Sequence, residues 1–313
     1  MKVAIYGSGA VGGYFGARLL KAGIDVSVVA RGDHLKAIHE HGIHICGVSG
    51  DFVVRPSITT EDPRDIGKVD LVIVAVKAWQ IPLILNGLKQ LVGKESIVLP
   101  LQNGIETPAQ LAESLGKEAV LIGLCQISAQ ISAPGIIQHV GIEPYLAFGE
   151  FDNQPTARLI QLRQLFESAG LHAEIPSDIH AALWDKFLFI ASVGALAAVT
   201  RAPLGVIREI PQTRTLLEQL MHEIYQVACA NGINLSEAVI SRRMDFIDRS
   251  PYETMPSMAR DVMDGKPSEL DALIGAVLRF GGEKNVATPL SRALYACLLP
   301  QEKLARQKQN IPF

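Results

Sequence analysis

Apolar runs rich in β-branched residues recur through the first half of the chain: Val3-Ala4-Ile5-Tyr6, Asp25 to Ala30, Leu71 to Val76, Ser96 to Leu101, Ala119 to Leu124 and Tyr145 to Phe148. They do not alternate apolar with polar positions, so each reads as a strand covered on both faces, with helical stretches such as Thr107 to Leu115 between them as covers. That is the rhythm of a doubly wound α/β domain. Pro155 to Ala169 then reads as an amphipathic helix and Ala173-Glu174-Ile175 as a short strand. Beyond Pro176 the periodicity is helical, over Ile179 to Val199, Gln212 to Asn231, Ser236 to Arg249 and Glu269 to Phe280. The predicted fold class is an α/β N-terminal doubly wound Rossmann domain over residues 1–176, followed by an all-helical C-terminal domain over residues 177–313. A chain of 313 residues suits two domains, and a site between them is the expectation.

Two of these helices carry further information. Phe187 to Val199 is apolar except for Ser192 and Gly194, and its thirteen residues fall short of the roughly 18 that a membrane span needs, so it reads as a buried helix. In the last pattern Leu270, Leu273, Ile274, Val277 and Leu278 form one stripe, with Ser268-Glu269 at its start and Gly281-Gly282 expected to stop it. Glu269 lies at the flank of that stripe. The terminal segment from Gln301 to Phe313 is expected to fray.

The first strand runs directly into Gly7-Ser8-Gly9-Ala10-Val11-Gly12, and the second strand follows and ends at Arg31. Glycines at this spacing allow a tight turn, close approach of backbone to a pyrophosphate, and packing of helix on strand, while the helix start offers unpaired N–H donors. With strand, turn, helix and strand in order, this is a dinucleotide-binding fingerprint. An NAD site would place a carboxylate about 20 residues beyond the glycines. Arg31 stands there instead and can pair with a 2′-phosphate, so the expected cofactor is NADP(H).

A net charge of −3 and a pI near 6.3 supply no basic field for nucleic acid and leave a small molecule as the expected ligand. Cys46, Cys125, Cys229 and Cys297 are scattered without a metal-type or disulfide pattern, which suits a reducing, cytoplasmic setting, and because Met1-Lys2 leads directly into the fingerprint strand that stretch is not expected to be a removable signal peptide. His39, His41 and His44 match no common metal spacing and read as a solvated helix end. No membrane partner is expected, and a homodimer through the helical domain is compatible with its apolar helices.

Ligands in open α/β sheets bind beyond the carboxyl ends of the strands, which directs attention to Lys77 at the end of Val74-Ala75-Val76-Lys77 and to the carboxamides of Gln102-Asn103-Gly104. A surface lysine and an ordinary Asn-Gly turn explain the same residues equally well. Lys186 follows Trp184-Asp185 and begins the apolar Phe187 to Val199 run. Burial there disfavours an ammonium and suits a lysine to donate a proton, although a snorkelling lysine satisfies the same pattern.

With the glycine motif at residues 7–12, Val76-Lys77, Gln102-Asn103-Gly104, Trp184-Asp185-Lys186-Phe187, and Pro256-Ser257-Met258 followed by Glu269, the chain resembles the ketopantoate reductase family (2-dehydropantoate 2-reductases) over essentially its whole length. The resemblance implies reduction of a 2-oxo acid by NADPH, giving pantoate for pantothenate and coenzyme A synthesis. It implies Lys186 as general acid and Glu269 as the residue holding Lys186 and the substrate hydroxyl. Ser257 would bind substrate, Asn103 would position cofactor and substrate, Lys77 would line the cofactor site, and Arg31 would be the 2′-phosphate arginine. The family's asparagines four and eight residues beyond the lysine are here Ile190 and Gly194, so a substrate pocket lacking those amides discriminates differently. The alternatives are a reductase of another 2-oxo acid, or an inactive NADPH-binding regulatory protein. An enzyme of 3-hydroxy acids or opines on the same plan would call for a catalytic histidine in a matching context, and none is present.

Overall fold

The computed structural model describes residues 1–48, 50–141, 143–309 and 311. The chain divides into two compact units, one of Met1–Gln102 and Thr107–Ile179, the other of Asn103–Glu106 and the chain from His180 onward. The first unit contains β1 (Lys2–Tyr6), α1 (Ala10–Lys21), β2 (Asp25–Val29), α2 (Gly32–His41), β3 (Ile43–Gly47), β4 (Phe52–Val54), β5 (Thr59–Thr60), β6 (Val69–Val74), α3 (Ile81–Leu91), β7 (Val92–Pro100) and α4 (Thr107–Leu115). It continues through β8 (Ile122–Gln126), β9 (Ala129–Ala133), β10 (Ile136–His139), β11 (Tyr145–Gly149), α5 (Ala157–Ser168) and β12 (His172–Glu174).

A five-stranded parallel sheet in the order β5-β2-β1-β6-β7 forms its centre. The order reverses between β1 and β6, which makes the carboxyl ends of those strands the switch point where such sheets bind ligands. Side chains of β1 alternate between two cores: Val3 and Ile5 pack in one cluster with Tyr14 and Phe15, and Ala4 and Tyr6 pack in the other with Ile81 and Leu88. Burial on both faces explains why the strand sequence shows no polar alternation.

Not every apolar run joins this sheet. β8 and β11 pair antiparallel in a separate sheet of order β12-β11-β8, so Tyr145 to Phe148 does not extend the parallel rhythm. A third sheet, β4-β3-β10-β9, comes from short, half-exposed strands that periodicity did not single out. Its one clear sequence signal is the Pro134-Gly135 turn between β9 and β10, with Gly135 at φ +76°. His39 and His41 lie on the exposed end of α2, and His44 lies in β3.

The second unit is helical: α6 (Ile179–Thr200), α7 (Leu204–Glu209), α8 (Pro211–Ala230), α9 (Ala238–Arg249), α10 (Ser257–Met263), a π-helical turn at Asp271–Gly275, α11 (Ala276–Glu283) and α12 (Pro289–Lys308). By length and composition α6 could cross a membrane, but 67% of its most apolar window is buried in the protein, as a core helix requires. Lys186 therefore stands inside a helix that begins at Ile179, two turns before the apolar run. Gly281-Gly282 does not stop the last pattern. Both glycines lie within α11, where Gly281 packs against Thr288, and the left-handed residue that follows is Asn285 at φ +55°. Gln301 to Lys308 belongs to α12, whereas the expected fraying at 310, 312 and 313 lies outside the described residues.

Candidate active site

The glycine motif sits at the switch point. Gly7 leaves β1 with φ +97°, and a Cβ on it would lie 2.7 Å from Val76 Cγ1 and 2.9 Å from the Val76 backbone nitrogen. Gly12, buried in the first turns of α1, would place a Cβ 2.1 Å from the Gly7 carbonyl and 2.8 Å from the Ala75 Cβ. These two positions hold helix, turn and strand at a separation that only glycine permits. Gly9, the residue before Ala10 at the start of α1, is different: a Cβ there meets nothing within 4 Å. Val11 packs toward the core, and the first turn of α1 has no acidic side chain.

These residues fit a dinucleotide. The open side of Gly9 and the unpaired amides of a helix start are what a pyrophosphate requires. Ser8 adds a buried hydroxyl whose Oγ has no hydrogen-bond partner among the described residues, an acceptor or donor left for a ligand. The neighbouring turn is held from below, since Gln102 Nε2 donates to the carbonyls of Val74 (2.8 Å) and Val76 (3.1 Å). β6 ends at Val74, three residues before Lys77. Lys77 is half-buried in the turn that follows, and its backbone N–H donates to Gln80 Oε1 at 3.0 Å.

Arg31 directly precedes α2, with its side chain 59% exposed, and sequence reasoning missed its neighbour. Glu61, beyond β5, brings Oε1 to 3.8 Å from Arg31 Nε. Parallel pairing of β5 on β2 creates this proximity, with Val29 opposite Thr60, and nothing in local spacing announces it. Tyr6 lies in the same electrostatic neighbourhood: burial pushes its phenol up, the Arg31 guanidinium pulls it down, and Asp62 pushes it up again.

In the helical unit, Lys186, Ile190 and Gly194 fall at i, i+4 and i+8 along α6 and share one face. Trp184 anchors this stretch with edge-on contacts to Phe187 (5.4 Å) and Phe280 (5.6 Å), and Asp185 accepts from Arg243 Nε at 2.7 Å. Lys186 is half-buried, and its side chain forms no hydrogen bond or ion pair among the described residues. Gly194 is covered by Met258, whose Cβ and Cε stand 3.6 Å from the place a Cβ would take, so the start of α10, including half-buried Ser257, lies against that turn of α6.

Glu269 is 4% exposed and accepts from Asn103 Nδ2 at 3.1 Å, across 166 residues of sequence. Asn103 thus turns toward Glu269 while the preceding Gln102 turns toward β6. Gly104 takes φ +106°, and a Cβ on it would lie 3.0 Å from the Ala272 carbonyl, so the Asn-Gly turn is required for the close approach. A second clasp holds the same segment: Arg279 donates bidentately to Glu106 (2.6 and 2.9 Å) and reaches both carboxylate oxygens of Asp271 at 3.1 Å. Burial opposes the Arg279 charge, but Glu106 and Asp271 outweigh it and hold the guanidinium protonated. Behind Glu269, Ser268 donates through N–H and Oγ to the buried Glu302, which is paired with Arg306 at 2.6 Å. Neither clasp has a local sequence signal. Among the described residues no group of three or more His, Cys, Asp or Glu could hold a metal ion, and the four cysteines are free.

A parallel sheet with a glycine cradle at its switch point, followed in the chain by a helical unit bearing a half-buried lysine and a buried, amide-held glutamate, defines a dinucleotide-dependent oxidoreductase. Two family models match in sequence order, "Ketopantoate reductase PanE/ApbA" over residues 3–153 and its C-terminal counterpart over 178–302. The chain belongs to the ketopantoate reductase family, whose members are NAD(P)-dependent oxidoreductases acting on a CH–OH group. It is 32% identical over 300 residues to a 2-dehydropantoate 2-reductase of Nostoc sp., covering 94% of this chain and 93% of that one. A PanE/ApbA family ketopantoate reductase structure from Ralstonia eutropha matches with a TM-score of 0.90 and 30% identity over 98% of this chain and 100% of the other. A D-mandelate dehydrogenase in complex with NADH and anilino(oxo)acetate shares the fold at TM-score 0.90 and 24% identity, over all of both chains.

Proposed function

We propose that this chain reduces 2-dehydropantoate to pantoate with NADPH, in the cytoplasm, as a step of pantothenate and coenzyme A synthesis. The observation that carries the reading is the hydrogen bond from Asn103 to the buried Glu269, which brings together two of the expected site residues across 166 positions of sequence. When bound, the nicotinamide supplies the hydride. Lys186 donates a proton to the ketone oxygen, where negative charge develops during reduction and a nearby ammonium stabilises it. Glu269 accepts from the substrate hydroxyl and is the acidic counterpart of Lys186, with Asn103 fixing its orientation. Ser257 binds the substrate side.

Gly7, Ser8, Gly9, Ala10, Val11 and Gly12 hold the pyrophosphate, with Lys77 beside them. Arg31 selects the 2′-phosphate. Its contact with Glu61 is a long pair between two largely exposed groups, of the kind that contributes little and yields readily to a phosphate dianion.

A second reading concerns the substrate alone. Ile190 and the Met258 thioether over Gly194 present an apolar surface on the Lys186 face of α6, which favours a 2-oxo acid with a bulkier apolar group over one that must be held by two amides. NADPH oxidation, followed by nicotinamide absorbance with 2-dehydropantoate, a panel of branched and aromatic 2-oxo acids, and NADH as the cofactor control, separates the two. Turnover of 2-dehydropantoate above the panel with NADPH preferred is the expected result. Higher kcat/KM on a bulkier acid establishes the second reading, and no turnover with any acid rejects both.

A further inference from the structure

We propose that His34 is a positioning residue for the cofactor, acting through the peptide bond between Ser8 and Gly9. The inference rests on the reading that the glycine motif holds the pyrophosphate. His34 lies in the first turn of α2, and its two ring nitrogens engage two separate segments: Nε2 lies 2.8 Å from the Ser8 carbonyl oxygen, and Nδ1 lies 3.0 Å from the backbone nitrogen of Gly135. Each partner has a single role. A carbonyl only accepts, so Nε2 carries the proton. A backbone N–H only donates, so Nδ1 carries the lone pair. The ring meets both at once only as the Nε2–H tautomer, and the Gly135 bond fixes that tautomer and aims the Nε2–H at Ser8.

The consequence for the site follows from peptide geometry. The Ser8 carbonyl and the Gly9 N–H belong to one planar unit, and no cis bond occurs among the described residues, so the two groups point in opposite directions. Holding the carbonyl on His34 therefore holds the Gly9 N–H facing away from His34, at the residue whose Cα borders open space. Rotation of that one peptide would present a carbonyl oxygen to a phosphate in place of a donor. Gly135 is itself fixed, since its carbonyl accepts from His44 N at 2.9 Å and a Cβ on it would lie 3.0 Å from Ala37, so the anchor behind His34 is rigid.

Two variants separate the bonds. His34→Asn places an amide oxygen where Nδ1 stands and keeps the Gly135 bond but does not reach Ser8, whereas His34→Gln places an amide nitrogen where Nε2 stands and keeps the Ser8 bond. Dissociation constants for NADPH and NADH, measured by nicotinamide fluorescence, are read beside kcat at saturating cofactor and the thermal midpoint. His34→Asn is expected to weaken both dinucleotides alike, by about tenfold, with kcat within about twofold of wild type, while His34→Gln binds within about twofold of wild type. Wild-type affinity in His34→Asn overturns the inference, as does an equal loss in both variants that follows the thermal midpoint. Failure of the wild-type protein to bind either dinucleotide overturns instead the cofactor reading beneath it.

Discussion

At the scale of single residues, the glycine motif was legible because its chemistry is local: three glycines, one turn and one helix start within six positions. The place of Arg31 was legible for the same reason, since it stands two residues beyond the second strand and directly before α2. Glu61 was not, because only the β5-on-β2 pairing carries it to Arg31. On the proposed function the two make opposite contributions to cofactor choice. Arg31→Ala is expected to raise the KM for NADPH by about 10- to 100-fold, the loss of one charge-assisted interaction, and to leave the KM for NADH within about threefold. Glu61→Gln, which removes the competing carboxylate, is expected to lower the KM for NADPH. Steady-state kinetics with both cofactors check each change, and an equal effect of Arg31→Ala on NADPH and NADH would remove Arg31 from the 2′-phosphate role.

At the scale of elements, the long strands and helices followed from periodicity, while the π-helical turn and the short third sheet did not. The π turn at Asp271–Gly275 interrupts a stripe whose apolar spacing is regular, and Arg279 and Tyr295 converge on the Asp271 carboxylate at its start. Burial first, and then the Asp271 carboxylate, push the Tyr295 phenol up to about 12 from an ordinary value of 10.0. A raised phenol favours the protonated folded state, so its contribution to stability is complete below about pH 10 and is lost as pH rises through about 12. Denaturant unfolding across that range should show the decline in wild type and a shallower one in Tyr295→Phe; equal slopes would count against the Asp271 contact.

Two glycines give opposite expectations at the same scale. Gly12→Ala drives a Cβ to 2.1 Å from the Gly7 carbonyl, and overpacking of this kind costs about 1–3 kcal/mol and should abolish dinucleotide binding. Gly194→Ala meets Met258 at ordinary contact, 3.6 Å, and replaces a mid-helix glycine, so it should stabilise by about 0.5–1 kcal/mol. Chemical denaturation of both variants distinguishes a glycine required by packing from one that is not.

At the scale of the whole molecule, the order of an α/β half and a helical half was readable in the change of hydrophobic period after Pro176. The membership of Asn103–Glu106 was not, because that segment lies in the sequence of the first unit and is bound into the second by Glu269, Ala272 and Arg279. Such clasps are long-range pairings between residues with no common local pattern: the resemblance named Asn103 and Glu269 as separate site residues, and only the fold pairs them. On the proposed function Lys186 supplies the proton in an NADPH-dependent reduction. The most direct test compares wild type with Lys186→Ala, measuring turnover of 2-dehydropantoate and the NADPH dissociation constant on the same preparations. The expected result is a fall in kcat of about 10²–10⁴-fold with NADPH affinity unchanged. Turnover retained in Lys186→Ala would remove Lys186 from the proton-donor role, because the proton would then come from another group.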